Sequence, residues 1–336
     1  MRWQDWARIV GLAFLVGCAG RGPLPLDPGV QTSGSSSDLV IEWTGVGAFW
    51  MAHDGVSVLT DPFWSHYPLG RVVFGTLPPD PEQIDPWLPP LDEVRAVLVG
   101  HGHYDHVSDL PYVAPRLHPD AVVLASQTVA HTFAPAELPR PIVPVNADRA
   151  SETEAGRWVS IAEGRARVLP IASGHPAQYG PIHLYTQHLT EDRRTPPTRV
   201  GHFQEGATLA FLVDFMDEQG GIAHRVYIET SSVGLPAGAV PPAILDAHPV
   251  DVALVAMDIA NLEARGETTI LDLLNPPTVI FCHWEDFFRP KDRPPREIHK
   301  VDLRRLREAL PDTETRRMVF PEWGARYVFP REPADR

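Results

Sequence analysis

The chain alternates between short apolar runs and polar segments, and most of the runs have the length of a β-strand. Val, Ile, Leu and Ala occupy nearly every position of these runs, a pattern that predicts strands buried on both faces. The predicted strands cover residues 39–43, 48–51, 56–59, 96–99, 121–124, 168–172, 208–213, 226–228, 252–257 and 278–282. The dipeptide Asp54-Gly55 predicts a tight hairpin between the second and third strands.

Helical patterns follow several of these strands. Ser126 is placed to cap a helix after the fifth strand, and Ser108 and Asp109 are placed to begin one after the fourth. Near the C-terminus, leucines recur at helical spacing within residues 303–310, with arginines mostly on the other face. Strands followed by helices in both halves of the chain predict an α/β domain.

Five of the predicted strands end at or near side chains that can bind a metal. The fourth strand leads into His101-Gly102-His103-Tyr104-Asp105-His106, in which four of six residues are potential ligands. The later strands lead to His175, Glu229, Asp258 and His283. Because ligand sites of α/β sheets lie at the carboxyl ends of strands, these side chains are predicted to converge on one edge. Imidazoles with a carboxylate suit zinc or a similar transition metal.

The run His-x-His-x-Asp-His resembles the signature of the metallo-β-lactamase-fold hydrolases, and the resemblance extends from about residue 39 to residue 329. Within that superfamily the chain is most similar to the branch of the L-ascorbate-6-phosphate lactonases and the N-acyl-phosphatidylethanolamine phospholipases D. Residues 60–65 match the Asp-Pro…Ser element of this branch, and residues 282–287 resemble its His-Trp-x-x-Phe element. The resemblance implies a four-layer αββα sandwich.

The resemblance also implies a site for two divalent metal ions. The implied ligands of the first metal are His101, His103 and His175, and those of the second are Asp105, His106 and His283. The family places an Asp between the metals, and the corresponding residue here is Glu229, which is one methylene longer. Zinc is the expected metal, and manganese or iron also suits these ligands.

Two further carboxylates and two loops have open roles. Asp258 either hydrogen-bonds a ligand histidine or simply ends a strand, and the second role is favoured. Asp61 is expected to hydrogen-bond a residue of the metal run, and its alternative is a turn before Pro62. The long segments 62–91 and 176–205 are predicted to shape a substrate pocket. Arginines of the second segment are candidates for binding an anionic group, with a solvated surface as the alternative for each.

The predicted chemistry is hydrolysis. Two metals about 3.5–4 Å apart share a water and lower its pKa, and the metal-bound hydroxide attacks a phosphoryl or carbonyl centre. Asp105 is the predicted catalytic residue, because it can bind the second metal and also orient the nucleophile or accept its proton. We therefore expect a metal-dependent hydrolase of phosphodiester or ester bonds, with lipids among its candidate substrates. The alternatives are a lactonase or other carboxylic-ester hydrolase and a non-catalytic metal-binding lipoprotein.

The N-terminus has the pattern of a secreted lipoprotein. Residues 9–16 form an apolar stretch that is too short to span a bilayer, and Leu-Val-Gly-Cys at residues 15–18 resembles a bacterial lipobox. This predicts removal of residues 1–17 as a signal peptide and attachment of lipid to Cys18. Ala19, in place of Asp, favours the outer membrane with the protein facing the periplasm. An ordinary signal peptide or a buried N-terminal helix is the alternative.

Composition adds the domain plan and the expected partners. Gly, Pro and Ser dominate residues 18–38, which predicts a flexible tether, and residues 39–336 are predicted to form one hydrolase domain. The formal net charge is −14 and no basic patch with interleaved aromatics occurs, which disfavours nucleic acid as a partner. The expected partners are a small-molecule or lipid substrate and the membrane. With Cys18 acylated, Cys282 has no partner for an intrachain disulfide.

Overall fold

Two β-sheets form the centre of the protein. The computed structural model describes residues 24–30, 35–178, 180–256, 269–299 and 301–331. Within these residues the strands are β1 (Asp27–Gly29), β2 (Leu39–Gly45), β3 (Ala48–His53), β4 (Val56–Thr60), β5 (Val94–Leu98), β6 (Val122–Ala125), β7 (Ile142–Pro144), β8 (Val159–Ile161), β9 (Ala166–Ala172), β10 (Leu209–Met216), β11 (Ile222–Glu229), β12 (Val252–Ala256), β13 (Thr278–Cys282), β14 (Arg317–Val319) and β15 (Pro321–Phe329).

Apart from the parallel pair of β1 and β15, each sheet is antiparallel in one half and parallel in the other. The first sheet has the order β1-β15-β2-β3-β4-β5-β6-β7, and the second has the order β14-β13-β12-β11-β10-β9-β8. In the first sheet β15 to β4 pair antiparallel and β4 to β7 pair parallel. In the second sheet β8 to β11 pair antiparallel and β11 to β14 pair parallel. The parallel halves place several strand carboxyl ends at one edge of each sheet.

Short helices cover the outer faces of the two sheets. They are α1 (Leu69–Phe74), α2 (Pro81–Ile84), α3 (Tyr104–Val107), α4 (Leu110–Val113), α5 (Gln127–Phe133), α6 (Pro242–Ala247), α7 (Ile270–Leu274) and α8 (Leu303–Ala309). One buried cluster joins α3, α4 and α5 to the first sheet, and another contains the buried leucines of α7 and α8 together with the second sheet. The predicted four-layer αββα sandwich is thereby confirmed. No helix in the described ranges is long and apolar enough to cross a bilayer.

The space between the sheets is filled by large apolar side chains. Trp43 of β2 stacks on Trp284, which follows β13, with ring centroids 5.5 Å apart, so that the two sheets are joined at one end. Both indole side chains are buried, as are Phe49 of β3 and Phe215 of β10. Complete burial of such a side chain contributes about 1.5–3 kcal/mol to stability.

Several local predictions are confirmed at the expected residues. Asp54 and Gly55 have φ of +46° and +72°, the left-handed pair that a two-residue hairpin turn requires. The Ser126 hydroxyl accepts the N–H of Val129 at 3.4 Å and caps α5. Helix α8 begins after Asp302, whose carboxylate accepts the N–H of Arg305 at 3.1 Å.

Two predictions differ from the structure. A helix begins directly after Asp109, as predicted, but the carboxylate of Asp109 accepts the N–H groups of Trp64 and Ser65 at 2.6 and 2.8 Å and makes no capping hydrogen bond to α4. Helix α3 already begins within the metal run, before Ser108. Part of the segment predicted as a tether is folded, because β1 pairs with β15 and the adjacent Leu24 and Leu26 pack against the core. A compositional rule misses such a strand, since its pairing partner lies about 300 residues away in the chain. Cys18 and the predicted signal peptide lie outside the described residues.

Candidate metal centre

Six of the predicted ligands meet at one end of the sandwich. They are His101 and His103 after β5, Asp105 and His106 in α3, His175 after β9, and His283 after β13. β9, β11 and β13 run in the same direction, so their carboxyl ends share an edge that faces the end of β5. The structure divides the six residues into two groups of three. Within each group the candidate ligand atoms lie within 4.8 Å of one another.

The first ligand group consists of His101, His103 and His175. His101 Nε2 lies 3.0 Å from His103 Nδ1. His103 Nε2 lies 3.2 Å from the carbonyl of Leu184, and His175 Nδ1 lies 2.6 Å from the carbonyl of Pro176. Carbonyls only accept hydrogen bonds, so these two nitrogens carry the protons of their rings. The remaining nitrogen of each ring then has a free lone pair for a metal.

The second ligand group consists of Asp105, His106 and His283. Asp105 Oδ2 lies 3.3 Å from His283 Nε2 and 3.8 Å from His106 Nε2, and the two imidazole nitrogens are 3.3 Å apart. The two ligand groups are adjacent, because the rings of His101 and His106 have centroids only 3.9 Å apart. One end of the sandwich therefore contains two neighbouring sets of three convergent donors.

Asp61 lies beside the second ligand group, where the sequence predicted it. Its Oδ2 accepts from His106 Nδ1 at 2.9 Å, and its Oδ1 accepts the N–H of Gly100 at 2.7 Å. The hydrogen bond fixes the tautomer of His106, so that Nε2 faces Asp105 and His283. The donor set fits two transition-metal ions, because the free nitrogen of each constrained imidazole is the one that points into its group.

Burial governs the protonation of the imidazoles. It lowers the pKa of His103 to about 4 and that of His175 to about 3, and it lowers the pKa of His101 well below the usual value. Burial also lowers the pKa of His106, but the charge of Asp61 outweighs it and raises the pKa above its usual value. At neutral pH the first ligand group is therefore uncharged, which is the form that binds a metal.

Burial disfavours the charged form of Asp105. The hydrogen bond from His283 and the charges of the neighbouring histidines outweigh this effect, so the pKa of Asp105 lies below its usual range. Its carboxylate is consequently ionised at neutral pH, as a metal ligand must be.

Stability of the metal-free protein is expected to fall as the pH is lowered from about 6.5 to about 4. In this range the unfolded chain takes up protons on His103 and His175, whose folded-state pKa values are lowered, while the folded chain does not. Each such group removes up to about 1.4 kcal/mol per pH unit. Urea unfolding after chelation of metals, repeated at several pH values, measures the slope. A free energy of unfolding that stays constant or rises towards pH 4 contradicts the assignment.

Asp61→Asn is expected to lower metal affinity by about 10–100-fold. The Asn side chain lacks the negative charge with which Asp61 holds His106 in the tautomer that can bind a metal. Isothermal titration with zinc measures the change. Asp80→Asn is a suitable control, since Asp80 caps α2 through the N–H of Glu82 and is not part of either ligand group. Equal zinc affinity in wild type and Asp61→Asn would show that the hydrogen bond has no role in binding.

Glu229 belongs to neither ligand group. Its carboxylate is fully buried, and Oε1 accepts from the Ser173 hydroxyl at 2.6 Å. Burial raises its pKa to about 7, although hydrogen bonds from Ser173, Ser232 and Tyr227 oppose the shift. The next residue, Thr230, lies beside Asp61, since a Cβ on Gly100 would meet Thr230 Oγ1 at 2.6 Å and Asp61 Oδ2 at 3.4 Å. Alternation along the strand places Glu229 on the other side.

Two hydrogen bonds between the β2–β3 turn and the segment after β13 hold the backbone of His283 in place. His283 has φ of +58°, a left-handed conformation that costs a non-glycine residue about 1–3 kcal/mol. Its N–H donates to the carbonyl of Val46 at 3.0 Å, and the N–H of Val46 donates to Glu285 Oε1 at 2.7 Å. The other oxygen of the buried Glu285 accepts from the Trp323 indole. The sequence signalled Glu285 only as a polar residue within the 282–287 element.

Glu285→Gln is expected to weaken binding of the second metal while the domain stays folded. The amide has one acceptor oxygen and cannot accept from both Val46 and Trp323, so the strained backbone of His283 loses support. Titration with cobalt(II), followed by visible absorption, measures whether one of two equivalents binds more weakly than in the wild type. Asp286→Asn is the matched control, because the neighbouring Asp286 pairs with a surface arginine. An unchanged cobalt titration in Glu285→Gln would exclude the positioning role.

Segment 176–205 contacts the first ligand group. Leu184 of this segment binds His103, and the Gln178 side chain contacts the His175 ring at 3.4 Å and accepts the N–H of Leu184 at 2.9 Å. Arg199 of the segment donates to the carbonyl of Phe74 at 3.3 Å. Asp258, the remaining strand-end carboxylate of the sequence analysis, lies outside the described residues.

Two facing β-sheets with two groups of histidine and carboxylate side chains at their common edge define a candidate metal-binding site on an αββα sandwich. A family model described as "Beta-lactamase superfamily domain" matches residues 57–284, which is more than half of the chain. The chain belongs to this family. The matched segment includes all six residues of the two ligand groups.

Relatives with similar sequences match over shorter segments. An uncharacterised protein of Mycobacterium tuberculosis is 38% identical over 87 residues, which cover 25% of this chain and 22% of that protein. A UPF0173 metal-dependent hydrolase of Methanopyrus kandleri is 38% identical over 76 residues, which cover 23% of this chain and 26% of that protein. The chain thus spans about a quarter of the length of the curated relatives it matches.

Solved structures with similarity to the chain include the metallo hydrolase Igni18 of the archaeon Ignicoccus hospitalis, with a TM-score of 0.49 and 16% identity over 87% of this chain and 98% of that chain. The diiron β-hydroxylase CmlA of Streptomyces venezuelae has a TM-score of 0.48 and 16% identity over 89% of this chain and 55% of that chain.

Proposed function

We propose that the protein is a metal-dependent hydrolase that cleaves phosphodiester or ester bonds. The observation that carries this proposal is the pair of adjacent ligand groups at the common edge of the two sheets. Membership of the β-lactamase superfamily supports it, as does the name of the M. kandleri relative as a metal-dependent hydrolase. We propose zinc as the metal, with manganese or iron as the other metals that suit the donor set.

Two divalent ions in such a site supply a water of lowered pKa and polarise the oxygen of a phosphoryl or carbonyl group. The residues of the chain have separate tasks. Asp105 is ionised, so it can accept a hydrogen bond from the attacking water and orient it. A carboxylate whose pKa is lowered is a weak base, and we therefore assign orientation of the nucleophile rather than removal of its proton as the main role of Asp105.

Aromatic side chains border the second ligand group and limit access of bulk water. The Phe287 ring meets the His283 ring edge-on at 5.3 Å, and the Phe63 ring meets Phe287 and Tyr104 edge-on at 6.1 and 5.7 Å. A low-water environment strengthens electrostatic interactions with the substrate. These rings form an apolar border beside the second ligand group, and Gln178 and Leu184 of segment 176–205 border the first.

Side-by-side assays test the proposal. Protein loaded with zinc, or in parallel with manganese, is given bis-p-nitrophenyl phosphate and a panel of simple lactones. Faster turnover of the diester supports phosphodiester hydrolysis, and faster turnover of lactones supports the carboxylic-ester alternative. His103→Ala is the control for contaminating activity. If the protein binds metal but hydrolyses neither substrate class faster than His103→Ala does, catalysis is refuted and a metal-binding role is favoured.

We further propose that lipid attached to Cys18 anchors the protein to the outer membrane, facing the periplasm, and that its substrate is a small molecule or a lipid. The lipobox-like residues 15–18 support the anchor, and the net charge of −14 supports the proposal that nucleic acid is not a partner. Mass spectrometry of the N-terminal peptide from membrane fractions tests acylation. An unmodified Cys18 thiol, or recovery of wild type and Cys18→Ala in the same soluble fraction, refutes the anchor.

A further inference from the structure

The chain enters the domain at the end that bears both ligand groups. Asp27 in β1 pairs with Pro321 in the parallel strand β15, and the Asp27 N–H donates to the carbonyl of Phe320 at 2.8 Å. That end of β15 also holds Trp323, whose indole donates to Glu285, two residues after the ligand His283. The first described residues therefore lie at the same end of the sandwich as the site, at the edge of the first sheet.

The connection from the proposed lipid anchor to this end is short. Five residues separate Cys18 from Leu24, the first described residue, which packs against the core. A fully extended chain spans at most about 3.3–3.6 Å per residue, so the reach from Cys18 to Leu24 is at most roughly 20 Å. An anchor at Cys18 would hold the site-bearing end close to the bilayer, whatever the conformation of the intervening residues.

The surface at this end exposes apolar side chains between arginines. Phe74 is 74% exposed and Ile182 is 38% exposed, and they are two of the four large apolar residues exposed in the described ranges. Ile182 lies in segment 176–205, where its carbonyl accepts the N–H of Gln178 at 3.0 Å. Phe74 ends α1 and contacts Arg199, and the exposed Arg71 lies one turn earlier. We call Arg71, Phe74, Ile182 and Arg199 the rim patch.

Two of the loops at this end carry no formal net charge, although segment 62–91, which contains Phe74, has three acidic residues and one arginine. Segments 176–205 and 284–299 each contain equal numbers of basic and acidic residues, whereas the whole chain has a formal net charge of −14. An anionic membrane therefore repels the remainder of the protein more than it repels these loops. Arginines beside an exposed aromatic ring match the interface of a bilayer, where phosphate groups lie above the acyl region.

We infer that the rim patch contacts the surface of a phospholipid bilayer, so that the metal centre opens towards the membrane. This inference rests on the proposed anchor at Cys18, and it deepens the proposed function by assigning membrane-resident molecules as the substrates within reach. The chain between Cys18 and Leu24 keeps the domain close to the membrane. Phe74 and Ile182 orient the domain by entering the headgroup region of the bilayer. A substrate in the same leaflet then reaches the site without leaving the membrane.

Fluorescence quenching tests this orientation in the full-length lipidated chain. Phe74→Cys and Val143→Cys are made separately, labelled with bimane and reconstituted in phosphatidylcholine–phosphatidylglycerol vesicles that contain doxyl-labelled lipid. Val143 is the matched control, because it is 37% exposed on β7, the edge strand of the first sheet farthest from β1. The buried Cys282 and the acylated Cys18 should not react with the label. Strong quenching at position 74 with little at position 143 is the expected result.

Equal quenching at both positions, or none at position 74, overturns the inference. The inference is also overturned if the label at position 74 is protected from aqueous iodide but is not quenched by doxyl lipid. In that case a protein surface, and not the bilayer, covers the patch. A chain that does not float with the vesicles refutes the anchor and this inference with it. Hydrolysis of soluble bis-p-nitrophenyl phosphate by the same preparation reports the catalytic proposal separately.

A second variant measures the energetic role of the patch. Phe74→Asp combined with Ile182→Asp is expected to weaken vesicle binding of the full-length Cys18→Ala chain by about tenfold, since partial burial of two apolar side chains is lost. Val143→Asp should bind vesicles and hydrolyse the soluble diester as the parent does. Vesicle binding unchanged in the double variant contradicts a role for the patch.

Discussion

Asp105→Asn is expected to slow hydrolysis of bis-p-nitrophenyl phosphate by roughly 10²–10⁴-fold and to remove one of two bound metal ions. Asp105 Oδ2 lies 3.3 Å from His283 Nε2 and 3.8 Å from His106 Nε2, where a metal would share all three donors. The amide has the same shape but lacks the negative charge that both metal binding and orientation of the nucleophile require. Steady-state kinetics and elemental analysis of the dialysed protein measure the two effects.

Asp246→Asn provides the comparison for this variant, because Asp246 is an exposed carboxylate on α6. It should retain the wild-type rate and both metals. If Asp105→Asn retained two ions per chain and the wild-type rate, the second ligand group would not be the catalytic centre. Loss of one metal with an unchanged rate would instead assign catalysis to the first ligand group alone.

Asp214→Ala is expected to lower the free energy of unfolding by about 3–5 kcal/mol, because it leaves a buried guanidinium without its partner. Arg225 is only 1% exposed and donates to Asp214 Oδ1 at 2.6 Å and to Oδ2 at 2.9 Å. Asp214 also accepts from Arg167 at 2.9 Å, so a single carboxylate neutralises two arginines. Urea denaturation followed by circular dichroism measures the loss.

Asp120→Ala is the control for the buried ion pair, since Asp120 is 80% exposed and lies 3.9 Å from Arg95. A surface pair of this kind contributes at most about 1 kcal/mol. Asp214 lies towards the end of β10 away from the ligand groups, so the folded fraction of Asp214→Ala should still bind two metals. A loss of stability no larger than that of Asp120→Ala would show that Arg225 finds other partners.

Ten of the fifteen described strands and the candidate ligands at their ends were predictable because their signals are local, whereas the division of the ligands into two groups came from the family resemblance. A strand covered on both faces needs an uninterrupted apolar run, and a ligand at its carboxyl end needs only to be the next polar residue. Both conditions can be seen within about ten residues, as at 96–106 and 278–283. The role of Asp61 followed in the same way, from a carboxylate directly after β4 in the same sheet as the metal run.

Contacts between distant parts of the chain were not predictable from such signals. Glu229 ends β11 where the family resemblance implies an Asp, but its side chain reaches Ser173, which follows β9, two strands away in the second sheet. Glu285 and Val46 are 239 residues apart, and neither residue type indicates by itself that the two form a hydrogen bond beside His283. The short strand β1 consists of Asp-Pro-Gly and has no apolar run that could predict it. These residues form a strand through their pairing with β15, which is distant in the sequence.

Each ligand group draws two donors from the segment after β5 and one donor from a strand end of the second sheet, His175 or His283. An ion bound by either group would thus cross-link the two sheets, and the unfolded chain lacks this arrangement of donors. At a free metal concentration 100 times the dissociation constant, one such ion adds about 2.7 kcal/mol to stability. The supply of metal in the surrounding compartment would then determine how long the protein survives proteolysis, in addition to whether it is active.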